Sequence, residues 1–336
     1  MRSSSPERWL EKRVEELLPL TYFHLVFTVP DLLLNPLVRR NEERLYQMLF
    51  RVVADTLKEI AADPKHLGAK VGFLAVLHTW GQLLQLHPHL HVIVPGGGLA
   101  PDGEQWISSR EEFFLPVRVL SRRMRTRFCH ALDEVAEGDE ILFPEEIDPR
   151  RSPKRYRAWR DQLRESQWVS YAKKPFGGKE AGLAYLARYT YRVAISNDRL
   201  LRLEDDRVHF RYKDYADAGV SKETSLEAVE FLRRYLMHVL PPGFHRIRYY
   251  GLFANRCRAA NLERCRVLLG VEIPESDAAT AGEEEAEPWE EQLQRLTGIE
   301  ATRCPACKEG QLVYVERLVR QPHRSEVPEP AGRAPP

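Results

Sequence analysis

His-Pro-His-Leu-His-Val-Ile-Val-Pro, residues 87–95, carries the clearest structural signal in this 336-residue chain. Its apolar, β-branched half is typical of a buried strand, which ends at Gly96-Gly97-Gly98. Because side chains two apart on a strand share a face, His89 and His91 should lie side by side while Leu90 packs on the other face. Two imidazoles directed at one point form half of a divalent-metal site. For an isolated pair, ordinary strand-edge histidines are the commoner explanation, and both interpretations stay open here.

A protein-held metal needs at least a third ligand, and two residues upstream are candidates. His78 ends the preceding predicted strand and reaches the site if the two strands are neighbours. Gln82 lies in the loop between them. We favour His78 over Gln82, although an ordinary strand-end histidine explains its position nearly as well. His87 has the same parity as His89, but the intervening Pro88 places it at the start of the strand.

The surrounding elements predict an α+β fold with an antiparallel or mixed sheet flanked by helices. Apolar and β-branched runs predict strands, and helical periodicity predicts long helices. Predicted strands are residues 22–29, 71–79 and 87–95, with further candidates at 113–117 and 168–171 and a hairpin at 199–203 and 207–212. Predicted helices are residues 6–18, 41–62, 119–135, 180–193 and 226–240, with more helical sequence towards the C-terminal end.

A pair of tyrosines on the predicted helix 180–193 is the second chemical signal. Tyr185 and Tyr189 are four residues apart, so one helical face can offer both hydroxyls to one site. Aromatic packing in the core is the alternative, and the more common one for an arbitrary helix. Arg188 and Arg192 form a second pair with the same spacing, which suits a phosphate-bearing substrate.

Composition narrows the class of protein. The formal net charge of +1 by itself does not indicate nucleic-acid binding. Basic clusters at residues 118–127 and 150–160 are, however, offset by an acidic stretch at 275–291, so the folded part is more basic than the total charge suggests. Five cysteines without framework spacing argue against a secreted disulfide scaffold and indicate a reducing, cytoplasmic environment. No apolar run approaches the roughly 20 residues of a membrane span, so we expect no membrane association.

The C-terminal part changes in composition. Residues 272–291 are too polar to bury a core and are predicted to be an acidic linker. Residues 292–336 contain a CxxC segment and end in a tail that we expect to be disordered. Cys304 and Cys307 are spaced like half of a zinc site, for which only His323 is a plausible additional ligand nearby.

His-hydrophobic-His followed by a tyrosine pair spaced by four resembles the HUH endonuclease superfamily. Four longer runs, at residues 22–30, 78–98, 185–197 and 243–270, resemble the two-tyrosine transposases of the insertion-sequence ninety-one-like group. The resemblance implies an HUH nuclease domain over residues 21–271, in which His89 and His91 hold Mg²⁺ or Mn²⁺ and Tyr185 and Tyr189 are the nucleophiles. It also implies single-stranded DNA of transposon ends and target as the substrate, with candidate DNA contacts from Lys173, Lys174, Arg188 and Arg192.

Family members usually begin with a cysteine-rich zinc module, whereas the first cysteine here is Cys129. Residues 1–20 are therefore interpreted as a helix that remains after a missing module. Three alternatives to a rolling-circle transposase stay open. They are a relaxase or replication initiator with the same chemistry, a catalytically inactive single-stranded DNA-binding relative, and a small-molecule metal hydrolase, which leaves the tyrosine pair unexplained. The oligomeric state does not follow from the sequence.

Overall fold

The computed structural model describes residues 16–138, 141–176, 194–271, 307 and 309–310, and for residues 173–176 it describes the backbone alone. The chain divides into two compact units, Met1–Glu285 and Ala286–Pro336. Nearly all described residues belong to the first unit, which has an α+β fold, as the sequence predicts. None of the described helices is long and apolar enough to cross a membrane.

Strands and helices alternate irregularly along the described chain. The strands are β1 (Tyr22–Thr28), β2 (Gly72–Trp80), β3 (Leu86–Pro95), β4 (Gly97–Leu99), β5 (Trp106–Ser108), β6 (Val169–Phe176), β7 (Leu200–Glu204), β8 (Arg207–Asp214), β9 (Val220–Glu227) and β10 (Ile247–Gly251). The helices are α1 (Asp31–Val38), α2 (Glu42–Ala62), α3 (Val117–Ala136), α4 (Pro153–Glu165), α5 (Ala228–Leu236) and α6 (Arg258–Leu268).

Five strands form the central sheet in the order β10-β2-β3-β1-β6. Every neighbouring pair is antiparallel, so the antiparallel form of the predicted sheet is the one found. The histidine-bearing strand β3 lies in the middle. Its neighbours β2 and β1 satisfy its backbone groups on both sides, and this pairing fixes which side chains share a face.

One face of the sheet is covered by helices. Phe27 of β1, Leu77 of β2 and Leu90 of β3 point to this face and are buried in the main core. Opposite them lie the apolar positions of α2 and α3, which recur every three to four residues and so form a stripe along each helix. The helices cover this face, so the histidine side chains of β1, β2 and β3, which alternate with these apolar residues, lie on the opposite face of the sheet.

A small second sheet packs on the turn between β2 and β3. Strands β7, β8 and β9 form this sheet, and Phe210 and Phe231 from it and α5 enclose Leu84. Leu84 adopts a φ of 59°, which a branched side chain tolerates only when its surroundings hold it. The guanidinium of Arg199 donates to the carbonyl of Gln82 over 2.5 Å, and Arg234 donates to the carbonyl of Leu83 over 3.1 Å. The turn is therefore held from outside by the second sheet and α5.

Candidate metal centre

Three histidines from two adjacent strands converge on the sheet face opposite α2 and α3. In the register, His78 of β2 pairs with His89 of β3, and Val76 pairs with His91, so all three side chains share one face. The Nε2 atoms of His89 and His91 are 3.1 Å apart. One ring nitrogen from each of the three histidines lies within 4.8 Å of the others.

His89 is held in one tautomer by the backbone. Its Nδ1 lies 2.7 Å from the carbonyl oxygen of His87, so this nitrogen carries the proton and donates. The lone pair of Nε2 then faces the cluster, as a metal ligand requires. Burial, followed by the nearby His78, holds the pKa of His89 well below its usual value of 6.5. The neutral, ligand form of His89 is therefore the stable form at neutral pH.

His24 of β1 supports the cluster, although the sequence does not predict this role. It is fully buried, and its ring stacks on that of His91 with centroids 5.0 Å apart. The Nε2 of His24 and the Nδ1 of His91 are 2.8 Å apart, which is hydrogen-bond distance. This contact fixes the ring of His91 with its Nε2 towards His89. The only sequence signal for it is that His24 shares the parity of Val26, which pairs with His91.

His78 is positioned by an aromatic stack that leads away from the cluster. Its ring lies 4.4 Å from that of Trp80, nearly parallel, and the ring of Trp80 in turn meets that of His238 edge-on at 6.1 Å. His238 is buried, and its two nitrogens lie 3.1 Å from the hydroxyl of Thr79 and the carbonyl of Leu84. Burial lowers the pKa of His238, so the neutral ring donates to Leu84 and accepts from Thr79.

The two candidates for the third ligand are separated by the geometry. His78 lies in the cluster, whereas the side-chain oxygen of Gln82 accepts a hydrogen bond of 3.2 Å from the backbone N–H of Lys213 in β8. His87 is close to His89 but pairs with Asp31, with 3.1 Å between Nδ1 and Oδ2. Pro88 thus leaves His87 at the start of the strand, outside the three-histidine cluster.

The other residues that the sequence predicts for the site fall largely outside the described side chains. Lys173 is the register partner of His24, and Lys174 follows it on β6, but neither side chain is described. Tyr185, Arg188, Tyr189, Arg192 and Cys304 lie outside the described residues. Cys307 is exposed, and its sulfur accepts a hydrogen bond of 3.2 Å from the N–H of Gly310.

The donor set fits a divalent cation. Neutral imidazoles are ligands for Mn²⁺, Zn²⁺ and related ions. With metal–nitrogen bonds of about 2.1 Å, two ligands at a right angle are about 3 Å apart, which is the separation found between His89 and His91. Among the described residues, this is the one group of three or more histidine, cysteine or acidic side chains with such an arrangement.

The protein is thus of the α+β class. Helices cover one face of its antiparallel sheet, and a candidate metal site of three histidines lies on the other face. The sequence profile of the Y2_Tnp family, described as "Putative transposase", matches residues 72–261 of this chain, a range that includes all three histidines of the cluster. The chain belongs to this transposase family. The resemblance to two-tyrosine transposases is thereby confirmed.

Two relatives share most of this chain. "Putative transposase y4qJ" from Sinorhizobium fredii is 47% identical over 94% of this chain and 78% of its own length. "Transposase for insertion sequence element IS801" from Pseudomonas savastanoi pv. phaseolicola is 30% identical over 74% of this chain and 58% of its own length.

Two solved structures also align with this chain. Both are of the conjugative relaxase TrwC in complex with DNA, at 13% and 16% identity, and each alignment covers 74% of both chains with a TM-score of 0.25. The family assignment therefore rests on the sequence comparisons.

Proposed function

We propose that this protein is a rolling-circle transposase that cleaves and rejoins single-stranded DNA. In this proposal, His78, His89 and His91 hold a divalent metal, and Tyr185 and Tyr189 are the nucleophiles. The convergence of three imidazoles on one face of the sheet is the observation that carries the proposal. Membership of the transposase family supplies the substrate class, DNA.

The histidines prepare the site for a phosphate. A divalent ion bound there would withdraw electron density from the scissile phosphate and stabilise charge on its oxygens. His24 and the carbonyl of His87 hold two of the three ligand rings in place before substrate arrives, so little reorganisation is needed during the reaction. The low pKa of His89 keeps that ring neutral and available as a ligand.

The tyrosines supply the covalent step. The phenol oxygen, which loses its proton on attack, forms a bond to the phosphorus, and the bond between phosphorus and the 3′ oxygen breaks. The products are a 5′-phosphotyrosine and a free 3′-OH. Because the phosphotyrosine preserves the energy of the phosphodiester, another 3′-OH can attack it and rejoin the strand without ATP. Two tyrosines allow one to hold a strand while the other cuts the next.

The edge strand β6 offers a path for the substrate. Tyr171 pairs with Val26, which in turn pairs with His91, so Tyr171 lies on the histidine face two strands from the cluster. Its ring is 53% exposed. An exposed aromatic ring can stack on an unpaired base. Lys173, which the sequence predicts to contact DNA, follows two residues later on the same strand. This arrangement favours single-stranded rather than duplex DNA at the cluster.

Covalent capture tests the proposal. The full chain is incubated with labelled single-stranded oligonucleotides of element ends and Mn²⁺, and adducts are separated on a denaturing gel. We expect an adduct with the unchanged protein and none with His89→Ala or His91→Ala. His87→Ala is the matched control, because it removes a histidine of the same strand outside the cluster and should still form the adduct. An adduct of normal yield with His91→Ala would contradict the proposed metal site.

A further inference from the structure

Helix α3 carries two rows of arginines with different surroundings. Arg123 and Arg127, one turn apart, both bind the carboxylate of Glu59 on α2. Arg118, Arg122 and Arg125 form the second row, spaced by four and three residues, so they lie on one helical face over about 10 Å. Arg118 and Arg122 are exposed, and Arg125 is partly exposed.

The second row differs from the first in having no acidic partner among the described residues. In residues 16–138, 141–176 and 194–271, no carboxylate lies within ion-pair distance of Arg118, Arg122 or Arg125, whereas Arg123 and Arg127 on the same helix and Arg160 on α4 each have one. Arg164 of α4 extends this surface. It approaches the thiol of Cys129, one turn beyond Arg125, and has no carboxylate partner in the same residues.

The positions of these arginines are electrostatically unfavourable for the helix itself. Arg118 lies in the first turn, where the helix dipole favours acidic side chains, and that turn contains none. Arg118 and Arg122 also repel each other across one turn. An arrangement that opposes helix stability without a local compensating partner is expected at a binding surface, where the compensating charge belongs to a ligand.

We propose that Arg118, Arg122 and Arg125, with Arg164 beside them, bind the phosphate backbone of duplex DNA. The substrate class, DNA, rests on the proposed function. The surface fits duplex rather than unpaired DNA because helices α3 and α4, both described in full, present no exposed Phe, Tyr or Trp ring for stacking. The aromatic side chains of α3 and α4, namely Phe128, Tyr156 and Trp159, are all buried in the core. Guanidinium groups on a rigid helix can contact successive phosphates of a duplex without reading its bases.

This surface is separate from the histidine cluster. Helix α3 packs on the core face of the sheet, whereas the histidines lie on the opposite face. A strand bound at the cluster therefore cannot lie on the arginine row at the same point. Helix α3 contacts the edge strand β6, and beside that strand the hydroxyl of Ser121 donates to the carbonyl of Trp168 over 2.5 Å. A duplex on the row can thus continue as a single strand around this edge, past Tyr171, to the cluster.

The test compares Arg118→Gln/Arg122→Gln/Arg125→Gln with a control triple, Arg39→Gln/Arg40→Gln/Arg256→Gln. Both triples remove three exposed or partly exposed positive charges, so net charge is matched. Fluorescence anisotropy measures binding of a labelled random-sequence duplex and of labelled oligo-dT over a range of salt. At about 0.15 M salt, removing one phosphate contact should weaken binding about fivefold, and removing three should weaken it about a hundredfold. The slope of log affinity against log salt should fall by about 2.7.

We expect this weakening for the duplex with the α3 triple only, while oligo-dT binding and covalent capture of a short single strand stay unchanged. Unchanged duplex affinity in the α3 triple, or an equal weakening in the control triple, would overturn the inference. An equal weakening of oligo-dT binding would show that the row serves unpaired DNA instead and would overturn it as well. If the unchanged protein forms no covalent adduct but the duplex result holds, the proposed function fails and the duplex site stands.

Discussion

Replacing His24 by Phe should weaken metal binding although His24 is not itself in the three-histidine cluster. Phe keeps an aromatic ring to stack on His91, where the present centroids are 5.0 Å apart, but it removes the nitrogen that lies 2.8 Å from Nδ1 of His91. The ring of His91 is then no longer held with its Nε2 towards His89.

The size of the effect follows from the role of this hydrogen bond. Removing a partner that orients a ligand imidazole lowers metal affinity by about 10- to 100-fold. This range corresponds to about 1.4 to 2.8 kcal/mol of binding free energy. Since His24 is fully buried and Phe is larger, a modest reduction of folding stability is also expected, of about 1 to 3 kcal/mol.

Mn²⁺ binding by titration calorimetry or electron paramagnetic resonance measures this effect on folded protein. Thermal unfolding of the same sample separates it from loss of fold. His24→Gln is the matched control, because its amide can reach Nδ1 of His91 and should recover part of the affinity. Equal Mn²⁺ affinity of His24→Phe and the unchanged protein would refute the role assigned to His24.

Three other predictions follow from the site and its supports. His238→Phe should lower stability by about 1 to 3 kcal/mol in urea unfolding, because it strands the buried Thr79 hydroxyl and removes the donor to Leu84; unchanged stability would show that neither hydrogen bond matters to the fold. The arginines beside Glu59 hold the pKa of its carboxyl below 4.5, so their pairing stabilises the fold above about pH 4.5 and is lost as pH falls through the lowered pKa. Glu59→Gln should therefore reduce the unfolding free energy at pH 7 and converge with the unchanged protein in acid; a constant difference at all pH values would be inconsistent with this cause. Tyr185→Phe and Tyr189→Phe should each keep one cleavage with covalent capture but lose complete strand transfer on a gel, and the double variant should form no adduct; an adduct in the double variant would indicate another nucleophile.

Local periodicity predicts three strands of the central sheet well, whereas β10, Ile247–Gly251, is not predicted as a strand. The predicted strands at residues 22–29, 71–79 and 87–95 correspond to β1, β2 and β3, and the predicted helix 41–62 corresponds to α2. In each case the pattern of apolar residues is strong because one face of the element is buried in a single core.

Prediction fails where burial has no simple period. The strand predicted at residues 113–117 is wrong, since the segment ends in helix α3, and Phe114 and Leu115 enter the core from the loop before it. A short apolar run alone does not distinguish these cases. Strand β9, Val220–Glu227, escapes prediction because its sequence lacks an apolar face and its pairing with β8 supplies the order. The helix predicted at residues 226–240 is consequently shorter, Ala228–Leu236.

The alternation of side chains along a strand predicts part of the candidate site, but it does not predict contacts from strands distant in the sequence. Parity places His89 and His91 on one face, and a short turn makes β2 the natural neighbour that brings His78. The contact from His24 depends on β1 pairing with the other side of β3, 67 residues away along the chain. Sequence periodicity contains no information on strand order, so the role of His24 is visible only in the fold.

Because β3 pairs with β2 on one side and with β1 on the other, the surroundings of the histidine cluster should form in two steps during folding. The β2–β3 hairpin is local and can form early, but the pairing of β1 with β3 closes a loop of the whole intervening chain, including α2. Long-range pairing of this kind is slow relative to hairpin closure. A refolding chain should therefore acquire its hairpin before it acquires the buried environment of His91. Full metal affinity would then arise late, once β1 has paired with β3 and His24 holds the ring of His91.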